Sequence, residues 1–171
     1  GDRQKIVGSE QEKERRVNEH LPSPDEIFLR LATVAGKQRK VTAASQHLAQ
    51  IKAPDQLKSE QQIEWIENMA LVAEEKGMTK EAIGHLTKLT ANWRSQPQYL
   101  PPVYLRLAEM QFKDNQFADA EGSLNLLREM KQNKVPVEDT ILAKALERRG
   151  DVLLKQGKSV AAVEAYLELL D

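Results

Sequence analysis

The strongest constraint on the fold of this chain is a pair of small side chains spaced 12 residues apart, recurring four times. Ala32, Ala70, Ala108 and Gly150 are each followed by Ala44, Ala82, Ala120 and Ala162. Larger apolar residues hold register around each pair. Phe28, Leu31 and Ala35 lead to Leu48; Ile66, Met69 and Ala73 lead to Leu86; Tyr104 and Leu107 lead to Leu124; and Leu146 and Leu153 lead to Tyr166. Two helices joined by a short turn approach most closely where side chains are smallest. Apolar residues three and four positions away then close over the crossing.

Punctuation falls where such hairpins need it. Ser23-Pro24-Asp25-Glu26 supplies an N-cap, a proline at the first helical position and a capping-box glutamate. Gly77-Met78-Thr79 and Gly157-Lys158-Ser159 are expected to close one helix and cap the next. Pro54, Pro97, Pro101 and Pro136 fall between units, where a helix must stop. The pattern predicts eight helices, over 24–37, 40–52, 57–76, 79–93, 101–114, 116–133, 137–156 and 158–170, with no strand. Residues 1–23 are polar apart from Ile6, Val7, Val17 and Leu21, and suit either a linker or a solvated helix that continues from a membrane anchor or docks on the first repeat.

On these residues the chain resembles the tetratricopeptide repeat (TPR) family, whose unit of about 34 residues has the pattern W-x2-L-G-x2-Y, then A-x3-F, then P. Leu146 to Tyr166 fits most closely, with Gly157 at the turn, and the resemblance covers about Asp25 to Asp171. The units, near 25–62, 63–100, 101–142 and 143–171, recur at 38, 38 and 42 residues, which marks a divergent, lengthened version. The resemblance implies an all-α solenoid of about four helix-turn-helix hairpins in a right-handed superhelix, spanning 24–171. Such hairpins cannot bury their apolar faces alone and must stack. The last helix carries Val160, Val163, Leu167 and Leu170 at helical spacing, so either further repeats or a self-association surface is expected there.

Composition bears mainly on what to exclude. With 25 basic and 26 acidic residues and a mean hydropathy of −0.57, the chain lacks the basic field of a nonspecific nucleic-acid binder. Its 8 aromatic residues offer few stacking platforms for RNA, so no nucleic-acid partner is expected. No run of about 18 apolar residues exists to span a membrane. The absence of Cys removes thiolate chemistry and cysteine metal sites. Gly157-Lys158-Ser159 is not a phosphate loop, because the required upstream glycine position holds Val152. His20, His47 and His85 share no metal-ligand spacing; His47 and His85, 38 apart, occupy the same repeat position and suit structural roles. No general acid–base pair or nucleophile elbow stands out. Catalysis, cofactors and metals are therefore not expected.

In TPR stacks the first helix of each unit lines the concave groove, and the resemblance implies the same placement here. By register the groove residues are Glu64, Glu67, Asn68, Leu71 and Glu74; Leu105, Arg106, Glu109, Phe112 and Lys113; and Lys144, Glu147, Arg148, Asp151 and Lys155. Glu60, Glu64, Glu67 and Glu74 form an acidic stripe, while Arg106 with Lys113 and Arg148 with Lys155 form basic steps seven apart. A groove acidic at one end and basic at the other would orient a peptide, with Leu71, Leu105 and Phe112 as apolar contacts. Charge runs of this kind also suit an ordinary solvated face. The carboxylate clamp of chaperone-binding TPR proteins maps onto Leu29, Thr33, Asn68, Pro102 and Arg106, and only Asn68 and Arg106 match.

The expected function is a non-enzymatic scaffold that binds a protein or peptide, with self-assembly through repeat stacking as the alternative and RNA binding less favoured. Loosely matching repeats rich in Gln and Lys suggest a bacterial protein, with cytoplasm and cell envelope both open. The start at Gly1-Asp2 suggests a processed chain or a fragment, any signal or anchor lying outside it.

Overall fold

The computed structural model describes residues 21–170, and the predicted N-terminal tail lies almost entirely outside them. Eight α-helices follow in order: α1 (Pro24–Lys37), α2 (Val41–Leu48), α3 (Ser59–Glu75), α4 (Thr79–Asn92), α5 (Pro101–Lys113), α6 (Phe117–Gln132), α7 (Asp139–Lys155) and α8 (Ser159–Leu167). Two 3-10 turns, Pro54–Gln56 and Pro97–Tyr99, occupy linkers, and no strand occurs among the described residues. No helix among them is long and apolar enough to cross a membrane.

The small residues sit where helices cross. Ala32, Ala44, Ala70, Ala82, Ala108, Ala120 and Ala162 are fully buried, and Gly150 is buried beside Tyr166. A Cβ added to Gly150 would lie 2.2 Å from the Tyr166 ring. At the other crossings, alanine is paired in the same cluster with the smaller Leu48, Leu86 or Leu124. Residue size is thus exchanged across the α7–α8 contact.

The turns inside the four pairs share one backbone solution. Arg39, Gly77, Asn115 and Gly157 all adopt left-handed φ, at 57°, 71°, 61° and 76°. In each, the next amide reaches back to the preceding helix: Lys40 to Ala35, Met78 to Ala73, Gln116 to Gln111 and Lys158 to Leu153, at 2.8–2.9 Å. These bonds satisfy carbonyls that a helix end leaves unpaired. The expected capping by Thr79 and Ser159 does not occur. Both are first residues of their helices, and the N-cap positions, Met78 and Lys158, make no side-chain cap bond.

At Ser23 the expected capping box is present. The Ser23 amide donates to Glu26 Oε2 at 2.7 Å, and the Glu26 amide donates to Ser23 Oγ at 3.2 Å. Its neighbour Asp25 accepts from the backbone amides of Lys52 and Ala53, the latter at 2.8 Å. This long-range anchor holds the post-α2 segment in a non-helical path. It accounts for α2 ending at Leu48, short of residue 52.

Helices pack on near neighbours in the chain. Beyond the four hairpin pairs, α2 packs on α3, α4 on α5 and α6 on α7, while α1 meets α3 and α5 meets α7. The even-numbered helices form no such pair with one another. The core among the described residues is divided into four clusters, the largest, around Leu86, Leu89, Trp93 and Met110, being shared by α3, α4 and α5.

Candidate functional site

The odd-numbered helices form one face, and most of the predicted groove residues lie along it. Asn68 is buried, not presented to a partner: its Nδ2 donates to Thr33 Oγ1 at 2.9 Å and to the Glu64 carbonyl at 2.7 Å, tying α3 to α1. Leu71 is half-buried against Gly36, whose backbone approach leaves a Cβ only 3.0 Å from the leucine. Leu105, expected as an apolar groove contact, is buried in the cluster that also holds Ala145 and Val152. Phe112 is half-buried, stacked edge-on with Phe117 at 5.5 Å and covered by the Arg148 guanidinium at 4.9 Å.

The charges are arranged differently from two separate ends. Glu74 accepts from Arg106 at 3.3 Å and from Lys113 at 3.0 Å, so the last carboxylate of the stripe neutralises the first basic step across the α3–α5 gap. Arg148 pairs with Asp151 at 2.9 Å, and Asp151 also accepts from the Tyr166 hydroxyl at 2.8 Å. Glu109 is half-buried; Lys155 is exposed, as are Lys144 and Glu147. Among the described residues, Glu109 and Lys155 make no side-chain hydrogen bond or ion pair. His47 and His85 are half-buried, with His85 Nε2 3.7 Å from Glu81. His20 lies outside the described residues.

Two clefts open on this face. One, of about 430 Å³, runs between α1 and α3 and is bounded by Thr33, Lys37, Leu71 and Arg106. The larger, of about 750 Å³, lies at the starts of α3, α5 and α7, and includes Ile63, Tyr99, Pro101, Val137 and Ile141. Glu64 and Glu67 line both, so the clefts adjoin there, and the furrow they make up touches all four odd-numbered helices. Glu74, near the C-terminal end of α3, ties that helix to Arg106 and Lys113 of α5, and the two helices share one hydrophobic cluster with α4. The 3-10 turn at 97–99 and the segment before α7 wedge in at the opposite end.

Burial pushes the Glu67 carboxyl above the ordinary glutamate range; Arg106 opposes the shift and Glu64 adds to it. Sequence register located Glu64 and Glu67 but missed Tyr99, Pro101, Val137 and Ile141, which belong to linkers and first turns. Their only sequence signal was the proline content of the extra residues between units. The chain matches no protein-family model, and no curated protein is significantly similar to it.

Proposed function

We propose that this chain is a non-enzymatic protein–protein interaction scaffold: a right-handed α-solenoid of four TPR-like hairpins, bacterial in origin, that receives a peptide or protein segment along the face of α1, α3, α5 and α7. The observation that carries the reading is the furrow, in which two clefts share Glu64 and Glu67 and together touch four helices. An extended or helical segment fits such a surface, because contacts distributed over several helices bind a length of chain better than a compact metabolite. The recurring left-handed turns and next-neighbour packing support the repeat assignment. A carboxylate-lined furrow disfavours a phosphate backbone, which keeps RNA the weaker candidate.

Photo-cross-linkers placed at Leu71 and Gln98 in the furrow, and at Gln46 and Lys88 on exposed positions of α2 and α4, test the proposal in source cells. Discrete protein adducts should form from the furrow positions alone. Equal adducts from α2 and α4, or none from the furrow, would sink it.

A second reading, self-assembly, has its own observation. Val160 and Leu170 are 77% and 82% exposed, with Val163 and Leu167 between them, while Ile27, Leu31 and Val34 form an exposed stripe on α1. Packing α8 on α1 of another copy would repeat the even-on-odd contact made by α2, α4 and α6. Such a head-to-tail contact does not close on itself and builds chains. Light scattering should then show mass rising with concentration, and Val163→Glu with Leu167→Glu should abolish the rise.

A further inference from the structure

We propose that the larger cleft, at the starts of α3, α5 and α7, takes a partner segment carrying an aliphatic side chain beside a lysine or arginine. The inference rests on the peptide-binding reading above and specifies what that face recognises.

The floor is apolar and stiff. Ile63, Tyr99, Pro101, Val137 and Ile141 form it, and Val137 and Pro101 are buried. At about 750 Å³ the cleft lies within the roughly 300–1,000 Å³ range of ligand sites, room for a few side chains and far more than one ion needs. Burial of one aliphatic side chain on such a floor supplies affinity without directional bonds.

The rim is anionic. Glu60, Glu64, Glu67 and Glu138 line the cleft, and among the described residues no lysine or arginine does. Among the described residues none of these four side chains makes an ion pair or hydrogen bond, in contrast to Glu74 two turns further along α3. Glu60, Glu64 and Glu67 follow one another at four and three residues, where like charges on a helix repel. Glu60 is in the first turn of α3, where the helix dipole favours a carboxylate. Glu64 and Glu67 lie beyond that turn, where the dipole effect has faded, and Arg106, the one cation whose field opposes the Glu67 shift, is itself ion-paired to Glu74. Glu67 is also partly withdrawn from water, which raises the cost of its charge until a cation arrives.

The cleft also lacks what an anion would need. A helix N-terminus ordinarily offers free amides to phosphate or carboxylate. Pro101 and Pro102 occupy the first two positions of α5 and remove both donors, and Glu138 occupies the N-cap position of α7. The same walls that stiffen the apolar floor thus leave carboxylates as the main polar groups facing a guest.

The test uses three short fluorescein-labelled peptides: alternating leucine and lysine, alternating serine and lysine, and alternating leucine and glutamate. Anisotropy gives affinity, and amide chemical shifts locate binding. The leucine–lysine peptide should bind and shift Tyr99, Val137 and Ile141, with each counterpart at least about tenfold weaker. The isosteric pair Glu64→Gln with Glu67→Gln should weaken it about tenfold. Glu129→Gln with Glu164→Gln, an equal charge change at exposed positions outside the cleft, should not. Equal weakening by both pairs would overturn the proposal, as would tight binding of the serine–lysine peptide. If the leucine–glutamate peptide binds as well and shifts α1, α3, α5 and α7, the face still binds peptides but the cationic preference is wrong. If no peptide shifts any residue of that face, the specific inference and the broader reading fall together.

Discussion

Substituting Gly150 by alanine sets two known effects against each other. In an open helix the change stabilises by about 0.5–1 kcal/mol, because glycine loses more backbone freedom on folding. Here the added carbon would stand 2.2 Å and 2.3 Å from two atoms of the Tyr166 ring, far inside contact distance. Overpacking of this kind costs about 1–3 kcal/mol, and the severity of the overlap places it toward the upper end. A net loss of about 1–2 kcal/mol is expected, or about 2–8 °C in Tm for a chain of this size. Tyr166→Leu alone forfeits ring packing and the 2.8 Å bond to Asp151, costing about 1–2 kcal/mol. The double variant recreates the alanine–leucine pair of the other three crossings. It should be more stable than the sum of the single losses by at least about 1 kcal/mol. Urea unfolding followed by circular dichroism gives all four stabilities. A Gly150→Ala protein as stable as the parent, or single effects that add to within about 0.5 kcal/mol, would refute the size-exchange argument.

Other positions give cleaner single effects. Gly77 has φ of 71° and open space around its would-be Cβ, so Gly77→Ala should lose about 1 kcal/mol in urea unfolding from backbone strain alone. Arg39 holds the equivalent left-handed position without being glycine, and Arg39→Gly should gain up to about 1 kcal/mol in the same assay. Ser23→Ala removes one half of the capping box and should cost about 1 kcal/mol, with faster amide exchange confined to the first turn of α1. Glu67 binds its proton more tightly folded than unfolded, so its contribution to stability falls as pH rises through the range just above the ordinary glutamate value. Glu67→Gln should therefore raise the urea midpoint at neutral pH, and the gain should vanish in acid, where the carboxyl is protonated in both states. A gain that persists unchanged in acid would exclude the desolvation argument.

What the sequence disclosed and what it hid differ by the range of the interactions involved. The alanine pairs and Gly150 were legible because close helix approach is a steric demand on specific positions. The capping box at Ser23 was legible because all its partners lie within four residues. The early end of α2 was not, since Asp25 reaches amides 27 and 28 residues away. Thr79 and Ser159 misled because hydroxyl residues after glycine suggest capping, whereas the left-handed turn directs backbone amides to the preceding helix. Register placed Glu64, Glu67 and Glu74 on one face of α3 but did not distinguish their fates. Only the relative placement of α3 and α5 decides that Glu74 meets Arg106 and Lys113 while the other two face an open cleft. Leu105 followed the same register yet is buried in the cluster shared with α7, where α5 and α7 pack directly.

Since no closely packed pair of helices among the described residues is further apart in the chain than next-but-one, their folding requires the closure of only short loops. The entropy of closing long loops, which slows sheet proteins, is nearly absent. Fast assembly by local zippering follows, and so does a gradient of order: α8, secured chiefly by α7, should peel first while the α4–α5 region holds. A guest bridging several odd-numbered helices would then act as a splint, coupling hairpins that otherwise sense only their neighbours.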